Sequence, residues 1–217
     1  MNTILSLDTS SEAYSVAVAF RGGRVYEHFY HAPRQAALDL LPTMDTLLAK
    51  TGLTLSDMDA IVTTIGPGSF TGLRLAVSVA QGLAWANSLQ TLGLNTLEVL
   101  AWDAVTHHNM ESVLVAIDAR KSEAYWGVYQ KCEKLGVIPV GDIQLSPPSA
   151  IKVSGVDGGI GTAFHAFAQL GDHLSLNNVL TPRWPKASCA AQLALLREPE
   201  LSSPSELQPL YVRNDIL

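Results

Sequence analysis

The stretch IGPGSFTGLR, from Ile65 to Arg74, carries residue types that do chemistry where a strand runs into a helix. Glycine amides in such a turn can cradle phosphate, and a serine there can be a nucleophile. A phosphate-cradling loop needs G-x-x-x-x-G-K-[ST], but five residues separate Gly66 from Gly72 and no lysine follows. The dinucleotide fingerprint needs a third glycine at 71, where Thr71 stands. A nucleophile elbow needs glycine two residues before the serine, and Pro67 holds that place ahead of Ser69. Gly66-Pro67-Gly68 is therefore expected to turn the chain out of a strand, with Ser69 capping the first unpaired N–H groups of a helix. Cys132 and Cys189 have no C-x-x-C spacing and no histidine at ligand spacing. His107 and His108 are adjacent, so on a helix they diverge by about 100° and are expected at the surface or a helix end.

The elements that would hold this turn follow from hydrophobic period and turn residues. Residues 3–8 read as a buried strand, 14–20 and 24–31 as a hairpin about Arg21-Gly22-Gly23, and 60–65 as the next strand. Residues 35–50 are helical in pattern, with Pro42 starting a second piece or kinking one helix. On the helix 71–86, Arg74, Ser78 and Gln81 form one narrow polar stripe, so it must be covered on more than one side. Gly72, Ala76, Ala80 and Ala84 recur at every fourth residue and line one face with small side chains, which another backbone could approach closely. Strand then helix recurs at 91–107.

From about 113 the opening pattern returns. SVLVAIDARKSEAYWGVYQ repeats the strand, aspartate, polar turn and strand of TILSLDTSSEAYSVAVAF, pairing Asp8 with Asp118 and Glu12-Ala13-Tyr14 with Glu123-Ala124-Tyr125. Such a repeat predicts a duplicated α/β architecture. A glycine-rich turn from Gly155 to Gly161, a helix from about 162, a proline-flanked helix near 186–196 and a Pro- and Ser-rich tail complete the chain.

A chain of 217 residues that is 47% hydrophobic is long enough for one large domain or two small ones, and disorder is excluded. Its apolar runs stop short of the roughly 20 residues that cross a bilayer, and the N-terminus lacks a signal-peptide pattern. Two unpaired cysteines fit a reduced, cytoplasmic protein. A net charge of −6 argues against a grip on a phosphate backbone, so any nucleic-acid role would run through a partner.

GPGSFTGLR, with LSLDTSSEAYSVAV, AIDARKSEAYWGVY and PLYVRN (209–214), resembles the TsaB (YeaZ) family over nearly the whole chain. The resemblance implies an actin-like, Hsp70-like and sugar-kinase-like (ASKHA) fold of two ribonuclease-H-like lobes, placed at 1–105 and 106–217. It further implies a non-catalytic subunit in making threonylcarbamoyladenosine at position 37 of ANN-decoding tRNAs. The partners implied are the metal-bearing paralogue TsaD and the ATPase TsaE, with a homodimer when the chain is alone. ATP and metal would belong to those subunits, and this chain would hold no cofactor of its own. Where the paralogue carries His-x-x-x-His on a helix, Thr96 and Leu100 stand here. Ala36 and Ala37 replace the His and Ser or Thr that family members often carry in the first helix.

Active members of this fold place carboxylates at strand ends to orient Mg²⁺ or water near phosphates. Asp8, Thr9, Asp118 and Gly159 mark where a vestigial nucleotide site would lie. The turns after both aspartates carry side chains instead of glycines, so both carboxylates are expected to cap turns. The expected docking surface for the paralogue combines Leu38, Leu41, Met44 and Leu48 with Phe70, Gly72, Leu73, Ala76, Ala80 and Ala84. The rival readings are a degenerate ATPase or small-molecule kinase, and a peptidase acting on the paralogue.

Overall fold

The computed structural model describes residues 1–181 and 183–212. Arg213 and Asn214 of the PLYVRN match lie outside the described residues. The chain divides into two compact units, Met1–Thr96 with Pro185–Leu210, and Leu97–Trp184 with the chain end from Tyr211.

In the first unit β1 (Thr3–Asp8), β2 (Ala13–Phe20), β3 (Val25–His31), β4 (Ala60–Gly66) and β5 (Gln90–Asn95) form one sheet in the order β3-β2-β1-β4-β5. β1, β2 and β3 pair antiparallel, while β4 lies parallel to both β1 and β5. β1 and β4 are buried nearly throughout because helices cover both faces, and the sequence accordingly runs apolar without alternation. α1 (Ala36–Thr51) and α2 (Phe70–Ala86) share one core with Leu5, Leu7, Val16, Val18 and Ile61. Pro42 sits inside α1, which continues through it as a single helix.

α3 (Thr96–His108) begins the second unit. There β6 (Ser112–Asp118), β7 (Ala124–Cys132), β8 (Gly136–Ser146), β9 (Gly158–Ile160) and β10 (Val179–Leu180) form a sheet in the order β10-β9-β6-β7-β8. Read from the other edge this is the order of the first sheet. Val113, Val115 and Ile117 point to the core under α3, whereas Leu114 and Ala116 point to the core built with Phe164 and Leu170. Short helices α4 (Ala163–Ala166) and α5 (Leu170–His173) supply that second face.

The duplication extends to side chains. Asp59, one residue ahead of β4, accepts the N–H groups of Asn2 and Thr3 at the start of β1. Asp157, one residue ahead of β9, accepts those of Glu111 and Ser112 at the start of β6, at 2.7 and 2.9 Å. Those backbone bonds hold both carboxyls below the usual carboxylate range.

The expected boundary at 105/106 is corrected. α6 (Ala187–Arg197) belongs to the first unit, where it packs on β2, β1 and β4. Ser15 Oγ and Glu27 Oε1 accept the N–H groups of Ala187 and Ser188 at 2.8 and 2.9 Å. Sheet side chains thus cap a helix whose own N-cap, Lys186, offers no acceptor. After α6 the chain bridges the outer edge of β5 through Thr91 and Ser202, and Gln81 Nε2 donates to Leu207 O at 3.0 Å. These contacts cover the β5 edge and the flank of α2.

Candidate functional site

Two features of the first unit bear on function: the turn that joins β1, β4 and α2, and the outward sides of α1 and α2. Ser69 is the N-cap of α2 as expected, its Oγ accepting from Gly72 N at 3.3 Å. Ser69 N donates to Ser10 O at 2.7 Å, and Thr9 Oγ1 donates to Gly72 O at 2.6 Å. A Cβ on Gly72 would lie 1.9 Å from Thr9 O, and one on Gly68 would lie 2.4 Å from Ser10 O. The glycines therefore let two backbones touch, and the second backbone belongs to this same chain.

Asp8 is wholly buried at the centre of this contact. It accepts from Ser10 N at 3.2 Å, from Ser10 Oγ at 3.0 Å and from Thr64 Oγ1. Burial pushes its carboxyl up to about 6, opposed by the Thr64 and Ser10 hydrogen bonds and assisted by the charge of Glu27. A carboxylate sealed in this way caps its turn and presents no face to an external ion. Asp118 is only half-buried but also caps its turn: its Oδ1 accepts from Arg120 N at 2.9 Å, and Arg120 Nη1 lies 3.4 Å from Oδ2. After Ala119, the residues Arg120, Lys121 and Ser122 all have left-handed φ values, of 62, 51 and 61°. Ala119 N→Glu123 O at 2.9 Å and Glu123 N→Arg120 O at 3.1 Å close this turn.

Of the positions marked for a vestigial nucleotide site, Thr9 is spent on α2 and Gly159 is corrected outright. Gly159 lies in the buried strand β9, where a Cβ would meet the Phe164 ring at 2.3 Å, so the glycine serves packing. A Cβ on Gly158 would likewise lie 2.2 Å from Asn178 O. Thr96 and Leu100, where the resemblance implies that a metal-bearing paralogue has histidines, are both buried. His107 and His108 end α3 as expected, with His107 Nδ1 2.9 Å from Asp103 Oδ1.

The expected docking surface is divided by the structure. Ala76, Ala80 and Ala84 are completely buried, and with Leu73 and Val77 they face the unit's own sheet. The stripe of small residues lets α2 lie close on β4 instead of on a partner helix. Met44 and Leu48 are buried in the same core. Gly72 is half-buried against Thr9. Leu38 (73% exposed), Leu41 (45%) and Phe70 (39%) do point outward, and Trp85 (74%), missed in the sequence, joins them. Its signal was present: Trp85 is one turn beyond Gln81 on the polar stripe, where a large aromatic is out of place. The Arg74 guanidinium carbon lies 3.7 Å from the centre of the Phe70 ring, completing an amphipathic outer face.

Two sheets with the same 3-2-1-4-5 order, each with helices on its faces, define an actin-like, ASKHA-type protein built from two ribonuclease-H-like lobes. The family model described as TsaD, tRNA N6-adenosine threonylcarbamoyltransferase, matches residues 30–181. Across 98% of this chain and 95% of the relative, the sequence is 32% identical to the Escherichia coli tRNA threonylcarbamoyladenosine biosynthesis protein TsaB. The Haemophilus influenzae TsaB is also 32% identical, over 99% of this chain and 94% of its own length. The solved structure of YeaZ from Pseudomonas aeruginosa superposes with a TM-score of 0.86 at 34% identity, covering 98% of this chain and 100% of that one. A second Pseudomonas aeruginosa structure, described as similar to peptidase YeaZ, gives 0.89 at 35% identity with the same coverage. The chain belongs to the TsaB (YeaZ) family.

Proposed function

We propose that this chain is a cytoplasmic, non-catalytic subunit of the assembly that forms threonylcarbamoyladenosine on tRNA, and that it acts by binding and stabilising a TsaD-type paralogue. The relatives named for that pathway supply the reaction, and the outward apolar side chains of α1 and α2 carry the reading of the role. Leu38, Leu41, Phe70 and Trp85 stand on helices that share one face of the first sheet, and exposed aromatic and leucine side chains are what a partner interface uses as anchors. Sealed Asp8 and turn-bound Asp118 support a subunit without chemistry of its own. ATP, metal and the TsaE ATPase then act through the partner subunits, and tRNA is reached through the complex. The same outer face pairs with itself when the paralogue is missing.

The test is size-exclusion mass of the purified chain with and without the TsaD-type paralogue of the same host. Complex formation is expected, and Leu38→Asp combined with Trp85→Asp should abolish it with thermal unfolding unchanged. An undiminished complex in that double variant would move the docking surface elsewhere.

A further inference from the structure

We infer that Asp8 is a positioning residue that fixes the partner-facing end of α2, an inference that rests on the docking role proposed above. Asp8 joins three segments: it ends β1, it holds the following turn through Ser10, and it holds the end of β4 through Thr64. Thr64 stands two residues ahead of Gly66, where the chain leaves β4 for α2. From the Asp8 turn two bonds run to the first turn of α2, Ser69 N→Ser10 O at 2.7 Å and Thr9 Oγ1→Gly72 O at 2.6 Å. The contact leaves no slack, because any Cβ on Gly68 or Gly72 would overlap the carbonyls of Ser10 or Thr9.

Phe70 lies inside the segment gripped in this way, between Ser69 and Gly72, and Arg74 packs over its ring. The direction in which this outward aromatic–cation pair points is therefore set from behind, by the shape of the β1–β2 turn. A carboxylate suits that task chemically. It accepts on both oxygens and donates nothing, so it can gather Ser10 N, Ser10 Oγ and Thr64 Oγ1 at once. The second unit shows the contrast. There Thr162 Oγ1 accepts from Asp118 N, and the Asp118 carboxylate turns to Arg120, two residues on in its own turn.

The experiment combines hydrogen–deuterium exchange of the isolated chain with titration of the TsaD-type paralogue, for the unaltered protein, Asp8→Ala, Asp8→Asn and Thr9→Val. Thr9→Val removes one hydroxyl bond to α2 and leaves Asp8 in place. Asp8→Ala and Thr9→Val should speed exchange in the peptide spanning 68–75 by about tenfold, with α1 and β5 unchanged, and weaken association about five- to tenfold. Asp8→Asn should restore both to within about twofold, because an amide oxygen accepts from Ser10 N and the Thr64 hydroxyl can turn to accept from the amide. Exchange that rises evenly through the first unit in Asp8→Ala, without local loosening in Thr9→Val, would reduce Asp8 to a stability residue. Loosening of 68–75 with unchanged affinity would overturn the positioning role and leave docking intact. If the unaltered chain does not bind the paralogue, the docking reading fails, and the exchange data still decide whether Asp8 holds α2.

Discussion

Gly72 and Gly82 lie in the same helix, yet the structure assigns their replacement by alanine opposite signs. In a helix interior alanine is favoured over glycine by about 1 kcal/mol, so an unobstructed Gly→Ala stabilises. Gly82 is exposed, and an added Cβ there meets nothing within 4 Å. At Gly72 the Cβ would stand 1.9 Å from Thr9 O, a backbone atom that cannot rotate away. The contact must open by about 1.5 Å or more to reach ordinary packing distance, which breaks Thr9 Oγ1→Gly72 O and loosens Ser69 N→Ser10 O. Two hydrogen bonds at about 1 kcal/mol each, plus about 1 to 2 kcal/mol of overpacking, outweigh the helix gain and leave a net loss of about 2 kcal/mol. For a chain of this size that lowers Tm by roughly 4–8 °C, whereas Gly82→Ala should raise it by roughly 2–4 °C. Urea unfolding and calorimetry of the two variants side by side measure both signs. A stabilised Gly72→Ala would show that α2 is not clamped to the β1–β2 turn.

Ala80→Trp should destabilise the monomer by at least about 1 to 3 kcal/mol, since Ala80 is completely buried in the unit's own core; unchanged thermal unfolding would return that face to the surface. Asp8 supplies a pH test. Its folded pKa is raised from 3.8 to about 6, so between those values the folded chain keeps a proton that the unfolded chain has lost. Its contribution is therefore most favourable below about pH 4 and worsens by about 3 kcal/mol as pH climbs through 6. Asp59 and Asp157 have the opposite sign: their lowered values stabilise above 3.8 and lose that contribution as pH falls through the folded value. Asp8→Asn should thus gain stability relative to the unaltered chain between pH 4 and pH 7, and an equal urea midpoint difference at both pH values would contradict the burial argument. Trp85→Asp alone should leave stability within about 0.5 kcal/mol while weakening association with the paralogue, as read by the same size-exclusion assay.

The first lobe was legible because its signals are local. TILSLD and AIVTTI are uninterrupted buried strands, Arg21-Gly22-Gly23 marks a hairpin, and GPGS marks a helix start, and each lies where expected. The second lobe was harder. β8 carries Pro139 and Gly141, which read as breakers, yet an edge strand tolerates both because one side of its ladder is unpaired. β9 is three residues long and two are glycine, so its identity comes from Phe164 and Asn178 pressing on it from distant sequence. The same limit explains the misassigned face of α2. A stripe of small residues says that a backbone comes close, and only the fold says whose. At Asp8 a turn-capping carboxylate was legible, but not that Ser10 and Thr9 would tie that turn to α2 across more than 50 residues.

The central claim is that this chain contributes a docking face and no chemistry of its own. It is tested most directly by reconstituting threonylcarbamoyladenosine formation on tRNA from the TsaD-type paralogue and its ATPase, with this chain added, omitted, or replaced by the Leu38→Asp, Trp85→Asp double variant. The account predicts product with the unaltered chain, little without it, and little with the folded double variant. Full activity with the double variant, or product made by this chain when the paralogue is left out, would contradict it.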